Sequence, residues 1–239
     1  MCKVVKRGYF ATDEKEFGEE AVPILYKAGA DLYYLLNQGY HIKGASNFVG
    51  NHYLLSERQR LALVRAVSAR KSLEHRRAKE LKIIPEGCTV NIDGFNTIIT
   101  LEVALSDSLL LKCMDGTIRD LAALRGTYRL IDKTQSAIRL IGQTLENSNI
   151  GKAVFYLDAP VSNSGRLKQS ILELLQGFSF AVEVEVINNV DSLLETLDNV
   201  VTSDAIILDK CRSWINLNRK ILEDNLGKDV EIDFSFLRE

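Results

Sequence analysis

The sequence predicts an α/β protein: a helical module over residues 1–85, then a parallel sheet flanked by helices over 86–239. Three observations carry that prediction. Up to Pro85-Glu86-Gly87, apolar residues recur at three- and four-residue spacing. From Cys88 onward, short β-branched and aromatic runs alternate with amphipathic stretches. Three of those runs end at or beside an aspartate, and an open α/β sheet places its ligand crevice at the carboxyl ends of its strands.

In the first module, residues 13–38 read as helical through Phe17, Ala21, Ile24, Leu25, Ala28, Leu32 and Leu35, with Thr12 or Asp13 as cap. Gly29 weakens the middle and predicts a break near 27–31. Gly39 and Gly44 punctuate the next segment. A second helix is expected over 56–80, with Ser56 as N-cap and Gln59 at the capping-box position.

In the second module, strands are expected at 88–92, 109–113, 152–158, 181–187 and 204–208. Helices are expected at 133–147, 164–176, 190–198 and 212–226. Residues 97–107 carry both signals and are assigned to helix; Asp132 reads as the cap of the helix after it, and Val230–Phe234 alternates as a final edge strand.

Composition narrows the function. Apolar residues make up 46% of the 239, enough for a full core. The net charge of −2 hides an asymmetry. Residues 1–87 carry 15 Lys/Arg against 10 Asp/Glu, and 88–239 carry 15 against 22. A basic module beside an acidic one can pair with it, or grip a polyanion next to a cation site. Cys2, Cys88, Cys113 and Cys211 form no C-x-x-C unit, so buried reduced thiols are expected rather than zinc. No apolar stretch reaches 18 residues, and Met1-Cys2-Lys3 opens no secretory segment. These features point to the cytoplasm, away from membranes. A homo-oligomer is compatible with the sequence.

The chemistry concentrates in carboxylates. Asp93 follows the first strand and precedes Gly94 and Asn96; the alternative is an Asp-Gly turn with a capping amide. Asp158 ends Val154-Phe155-Tyr156-Leu157 and leads into a loop with Ser162, Ser164, Arg166 and Lys168. That loop suits a phosphate at a helix N-terminus, or is a capped helix with solvated cations. Asp204 and Asp209 bracket Ala205–Leu208. If that run is a strand, Asp209 lies at its carboxyl end and Asp204 at its start. Asp115-Gly116 reads as a turn, with a ligand role as the alternative. Two or more carboxylates suit Mg²⁺ or Mn²⁺, which can activate water and neutralise charge at phosphorus. No Ser-His-acid set, Walker A loop or dinucleotide fingerprint is present.

Between residues 57 and 82, nine cations face Glu57, Glu74 and Glu80. Arg70, Lys71, Arg76 and Arg77 are the candidate phosphate contacts, with a solvated amphipathic helix as the alternative.

Val49-Gly50-Asn51-His52-Tyr53, Leu54-Leu55-Ser56-Glu57-Arg58-Gln59-Arg60, Asn91-Ile92-Asp93-Gly94-Phe95-Asn96 and Tyr156-Leu157-Asp158-Ala159-Pro160 resemble the hallmarks of an archaeal and bacterial family. That family joins a short helical domain to an α/β domain, and the resemblance implies no activity. Asp93-Gly94-Phe95-Asn96 and Ser203-Asp204 make the second domain resemble, more distantly, the Rossmann-like PIN-like nucleases of the NYN type. Their Ser-Asp pair begins a helix, so this resemblance favours Asp204 over Asp209. It implies a metal-dependent ribonuclease with Asp93, Asp158 and Asp204 as catalytic metal ligands and Asn96 in support. A non-catalytic RNA-binding or regulatory protein with a degenerate nuclease-like fold is the second class. A phosphatase or phosphotransferase for a small substrate is the third.

Overall fold

The computed structural model describes residues 5–122, 126–227, 230 and 232–238; Cys2 and Glu231 lie outside them. The chain opens with five helices: α1 (Asp13–Glu16), α2 (Val22–Asn37), α3 (Ile42–His52), α4 (Glu57–Ala66) and α5 (Arg70–Lys79). It continues as β1 (Thr89–Asp93), α6 (Gly94–Leu105), β2 (Leu110–Lys112), β3 (Ile118–Asp120), α7 (Thr134–Glu146) and β4 (Lys152–Asp158). The remaining elements are α8 (Ser164–Leu175), β5 (Ala181–Ile187), α9 (Val190–Leu194), β6 (Val200–Val201), α10 (Ala205–Lys210), β7 (Trp214–Ile215), α11 (Leu217–Ile221) and β8 (Ile232–Asp233).

Five strands form one parallel sheet in the order β5-β4-β1-β6-β7. From β1 the chain builds outward through β4 to β5, then returns to the other side of β1 for β6 and β7. The topological switch therefore lies between β1 and β6, where an α/β sheet opens a crevice at its carboxyl edge. The smaller sheet, β3-β2-β8, pairs β2 antiparallel with β3 and parallel with β8.

α6 is buried along ten of its twelve residues, Glu102 among them. A helix enclosed on all sides has no polar stripe, which is why residues 97–107 carry mixed signals in the sequence. The helical module does not stand alone. Its core residues Leu25, Leu32, Ala62 and Leu63 share one cluster with Leu111, Met114, Ile232 and Phe234 of the smaller sheet and its flanks. The backbone of Leu81 donates to the Trp214 carbonyl at 2.8 Å, and Trp214 Nε1 donates to the Arg76 carbonyl at 2.7 Å. Chain order separates the two modules more cleanly than their packing does.

Several boundaries differ from expectation. The break in the first helical stretch falls between α1 and α2, not at 27–31. α2 passes through Gly29, where an added Cβ would lie 2.9 Å from Leu237 Cδ1, so the glycine there admits the C-terminal turn. The second stretch divides at Val67, whose backbone is extended, into α4 and α5; α3 fills the segment read only as punctuated. The Ser56 capping box is present, with Gln59 N–H donating to Ser56 Oγ at 3.1 Å. Asp132 is not the cap of α7, whose N-cap is Lys133; it pairs with Lys133 instead.

Residues 204–208 are not a strand. β6 ends at Val201 and α10 begins at Ala205. The buried residues of α10, Ile207 and Leu208, are followed by buried Cys211 in helical spacing, while Ile206 is exposed. The expected helix over 212–226 contains β7, then α11 and a π-helical turn over Leu222–Leu226, and α9 stops at Leu194.

Candidate functional site

Four aspartates reach the carboxyl edge of the five-stranded sheet. Asp93 is the last residue of β1 and N-caps α6, accepting the Asn96 N–H at 3.3 Å. Asp158 ends β4, the parallel neighbour of β1. Asp191 lies in the first turn of α9, just beyond β5. Asp204 follows β6 and N-caps α10, its Oδ1 accepting Ile206 N–H at 2.7 Å and Ile207 N–H at 3.3 Å. All four line one cleft of about 890 Å³.

The floor of this cleft is wired across the switch point. Thr202 Oγ1 donates to Asp93 Oδ2 at 2.8 Å and accepts the Asp204 N–H at 3.1 Å. Asn96 Oδ1 accepts both the N–H of Ser203, at 2.9 Å, and its hydroxyl, at 3.0 Å. Arg119 Nε donates to the Ser203 carbonyl at 2.6 Å. The segment from Thr202 to Asp204 is thus pinned from β1, α6 and β3 together. Gly94 adds a steric condition: a Cβ there would lie 2.5 Å from Leu157 Cδ2 and 3.0 Å from the Tyr156 carbonyl. The glycine lets α6 start against β4, which sets the approach of Asp93 to Asp158.

Asp93 is 7% exposed. Burial, aided by the nearby Asp191 and Asp204 carboxylates, pushes its pKa up to about 7, against the opposing Thr202 and Asn96 hydrogen bonds. Burial also raises Asp158. Asp191 rises through burial and then through Asp204 and Asp158. None of the four carboxylates forms an ion pair among the described residues. As placed, no three Asp, Glu, His or Cys groups among the described residues converge closely enough to ligate one ion. They share a cleft rather than a finished coordination sphere.

Asp209 also lines this cleft, but unlike the other four it is held in an ion pair with a guanidinium. Arg76 clasps it with Nε and Nη2, at 2.6 and 2.9 Å, and gives Nη1 to Asp115 Oδ2 at 2.8 Å. Asp115 also takes Arg119 Nη2 at 2.6 Å and the Thr117 hydroxyl at 2.6 Å. Asp115 is therefore a buried hub between two guanidiniums, which hold its carboxyl below the usual range despite burial. This hub fastens α5 to β3 and to the end of α10.

The remaining sequence candidates are dispersed. Asn96 lines the cleft, but Ser162, Ser164, Arg166 and Lys168 do not. The Ser162 N–H donates to the Gly126 carbonyl at 3.1 Å, so that loop packs against the 126–128 segment. Arg70, Lys71 and Arg77 are exposed, whereas Arg76 is 3% exposed and committed to the hub. Asp191 escaped sequence reasoning, although the rule that singled out Asp158 applies to an acid just beyond β5. Among the described residues the free thiols are Cys88, Cys113 and Cys211, the last two buried.

The helical module forms the opposite wall of the cleft, through Leu36, Tyr40, Ile42, Val64, Val67 and Ser72, while Arg65, Arg76 and Arg119 bring positive charge to its margin. No helix among the described residues is long and apolar enough to cross a membrane.

The chain belongs to the family described as Domain of unknown function (DUF5616), whose model matches residues 84–220. The model described as Protein of unknown function (DUF434) matches residues 24–79. Uncharacterized protein MJ0935 of Methanocaldococcus jannaschii is 40% identical over 184 residues, covering 76% of this chain and 88% of that protein. No solved structure matches.

Proposed function

We propose that this protein hydrolyses phosphodiester bonds with the help of a divalent cation, and that its substrate is RNA. One observation carries the reading. Asp93, Asp158, Asp191 and Asp204, from four separate strand–helix junctions, meet in one cleft beside the topological switch of a parallel sheet. The strand order and the Asp93-Gly94-Phe95-Asn96 and Ser203-Asp204 placements support a PIN-like reading of the α/β module.

The donors fit Mg²⁺ or Mn²⁺ by chemistry. They are all carboxylate oxygens, mutually repelling and in no direct ion pair among the described residues, although Arg119 lies close enough to Asp204 to interact with it. Asp93, Asp158, Asp191 and Asp204 are the residues that would hold the ion. Bound there, it would neutralise charge on a phosphate and lower the pKa of a water. The chain's own contribution is positioning. Thr202 orients Asp93 and the Asp204 amide together. Asn96 and Arg119 hold Ser203 from its two sides, so the Asp204 loop is fixed before any ligand arrives.

The test is cleavage of end-labelled single-stranded RNA by the purified protein with Mg²⁺ or Mn²⁺, against a chelator control. Cation-dependent cleavage lost in folded Asp204→Asn supports the reading. Tight RNA binding without cleavage under either cation points to a binding protein on the same fold. Turnover of small phosphate esters alone points to a phosphatase.

A further inference from the structure

The acidic cleft has a second chemistry. Tyr40, Ile42, Val64 and Ile206 are 61, 37, 41 and 60% exposed, and all four line it. They come from the α2–α3 connection, α3, α4 and α10, so no single amphipathic helix accounts for them. Scattered exposed apolar residues are ordinary, but a group gathered at one concave site marks a ligand surface. A ligand filling this cleft meets Tyr40, Ile42 and Val64 on the helical wall, and Ile206 beside the carboxylates it faces. A purely apolar occupant leaves the carboxylates without a partner. A cationic peptide satisfies the floor but not the basic groove on the other side of α5.

α5 turns Ser72 and Arg76 toward the acidic cleft and Arg70, Lys71 and Glu74 toward that second groove, of about 580 Å³, which Tyr34 also lines. A period of 3.6 residues places these sets on opposite sides of the helix, roughly 10 Å across. Tyr34 is 63% exposed, and Arg70 and Lys71 are exposed. An aromatic face beside two cations, one helix away from the first site, suits the base and phosphates of an adjoining nucleotide.

We propose that Tyr40, Ile42, Val64 and Ile206 seat an unpaired base of a single-stranded nucleic acid, the strand continuing across α5 toward Tyr34, Arg70 and Lys71. This rests on the reading of the carboxylate floor as a phosphodiester site and places the base between the helical module and α10. A base in a duplex is already stacked and offers no free face, so the seat selects single strands.

Fluorescence anisotropy tests this with a labelled oligoribonucleotide, the same strand carrying abasic residues, and its duplex, each with and without Mg²⁺. Tyr40→Ala with Ile206→Ser should weaken the base-bearing strand about five- to a hundredfold. It should leave the abasic strand and Mn²⁺ affinity within about twofold, while Tyr40→Phe, which keeps the ring, stays near wild type. Circular dichroism establishes that each variant folds. Equal losses for base-bearing and abasic strands, no loss at all, or a duplex bound as well as the single strand would overturn the proposal. So would a nucleoside monophosphate binding as tightly as the strand, or a dimer in sedimentation that the double variant dissolves. Base discrimination without cleavage under any cation keeps the seat and rejects hydrolysis. Cleavage without base discrimination keeps hydrolysis and rejects the seat.

Discussion

The Thr202 hydroxyl donates to Asp93 Oδ2 at 2.8 Å, bridging the carboxyl ends of β6 and β1 at the switch point. Because the same oxygen accepts the Asp204 N–H, one side chain sets two of the four carboxylate-bearing turns. Thr202→Val keeps the shape and removes both interactions. It leaves a buried carboxylate oxygen and an amide short of partners, and should lower stability by about 1–3 kcal/mol in urea unfolding. A change below a few tenths of a kcal/mol would show the bridge to be incidental.

Asp93 makes stability depend on pH in a defined direction. Below its ordinary value of 3.8 the carboxyl is protonated folded or unfolded and contributes nothing. Between 3.8 and about 7 the unfolded chain releases the proton while the folded protein keeps it, so stability falls as pH rises. The loss is complete above about 7. Asp93→Asn cannot ionise. In chelator it should be more stable than wild type at about pH 8, by up to roughly 4 kcal/mol, and the advantage should vanish near pH 4. Thermal unfolding across that range measures it. A variant advantage that grows toward acid would contradict the sign.

The Arg76–Asp115–Arg119 hub should matter for folding before function. Arg76→Ala leaves buried Asp115 with Arg119 as its one cation and Asp209 with none among the described residues, and should cost about 3–5 kcal/mol by urea unfolding. A loss under about 1 kcal/mol would place the hub among weak surface pairs.

Removal of charge from Arg70, Lys71 and Arg77, with Arg76 left intact, should weaken RNA binding and flatten its dependence on salt. Titrations at several salt concentrations read both. If affinity and slope match wild type, those cations serve as solvated surface only.

Much of the sheet is legible in the sequence because long strands announce themselves. β4 and β5 fall at 152–158 and 181–187, as expected, since seven residues suffice for a pattern. β6 and β7 have two residues each, too few to alternate, so the apolar run Ala205–Leu208 reads as the strand in their place. That misplacement leaves Asp204 and Asp209 unresolved. With α10 beginning at Ala205, Asp204 sits at the carboxyl edge, and Asp209 sits at the far end of the helix against Arg76. The hub itself is invisible in the sequence, because Asp209 lies 133 positions from Arg76 and neither carries a local motif. Net charge suggests that the basic module can pair with the acidic one, but not that Arg76 is consumed in doing so.

The central claim, a shared cation site at the switch point, is tested most directly by titrating Mn²⁺ into the protein and following the free ion by electron paramagnetic resonance. The wild type should show one site. Asp93→Asn, Asp158→Asn, Asp191→Asn or Asp204→Asn should each weaken affinity at least about tenfold, since each removes a charged oxygen ligand. Asp209→Asn should bind as wild type does. Undiminished Mn²⁺ binding in all four variants, or loss only in Asp209→Asn, would contradict the shared site.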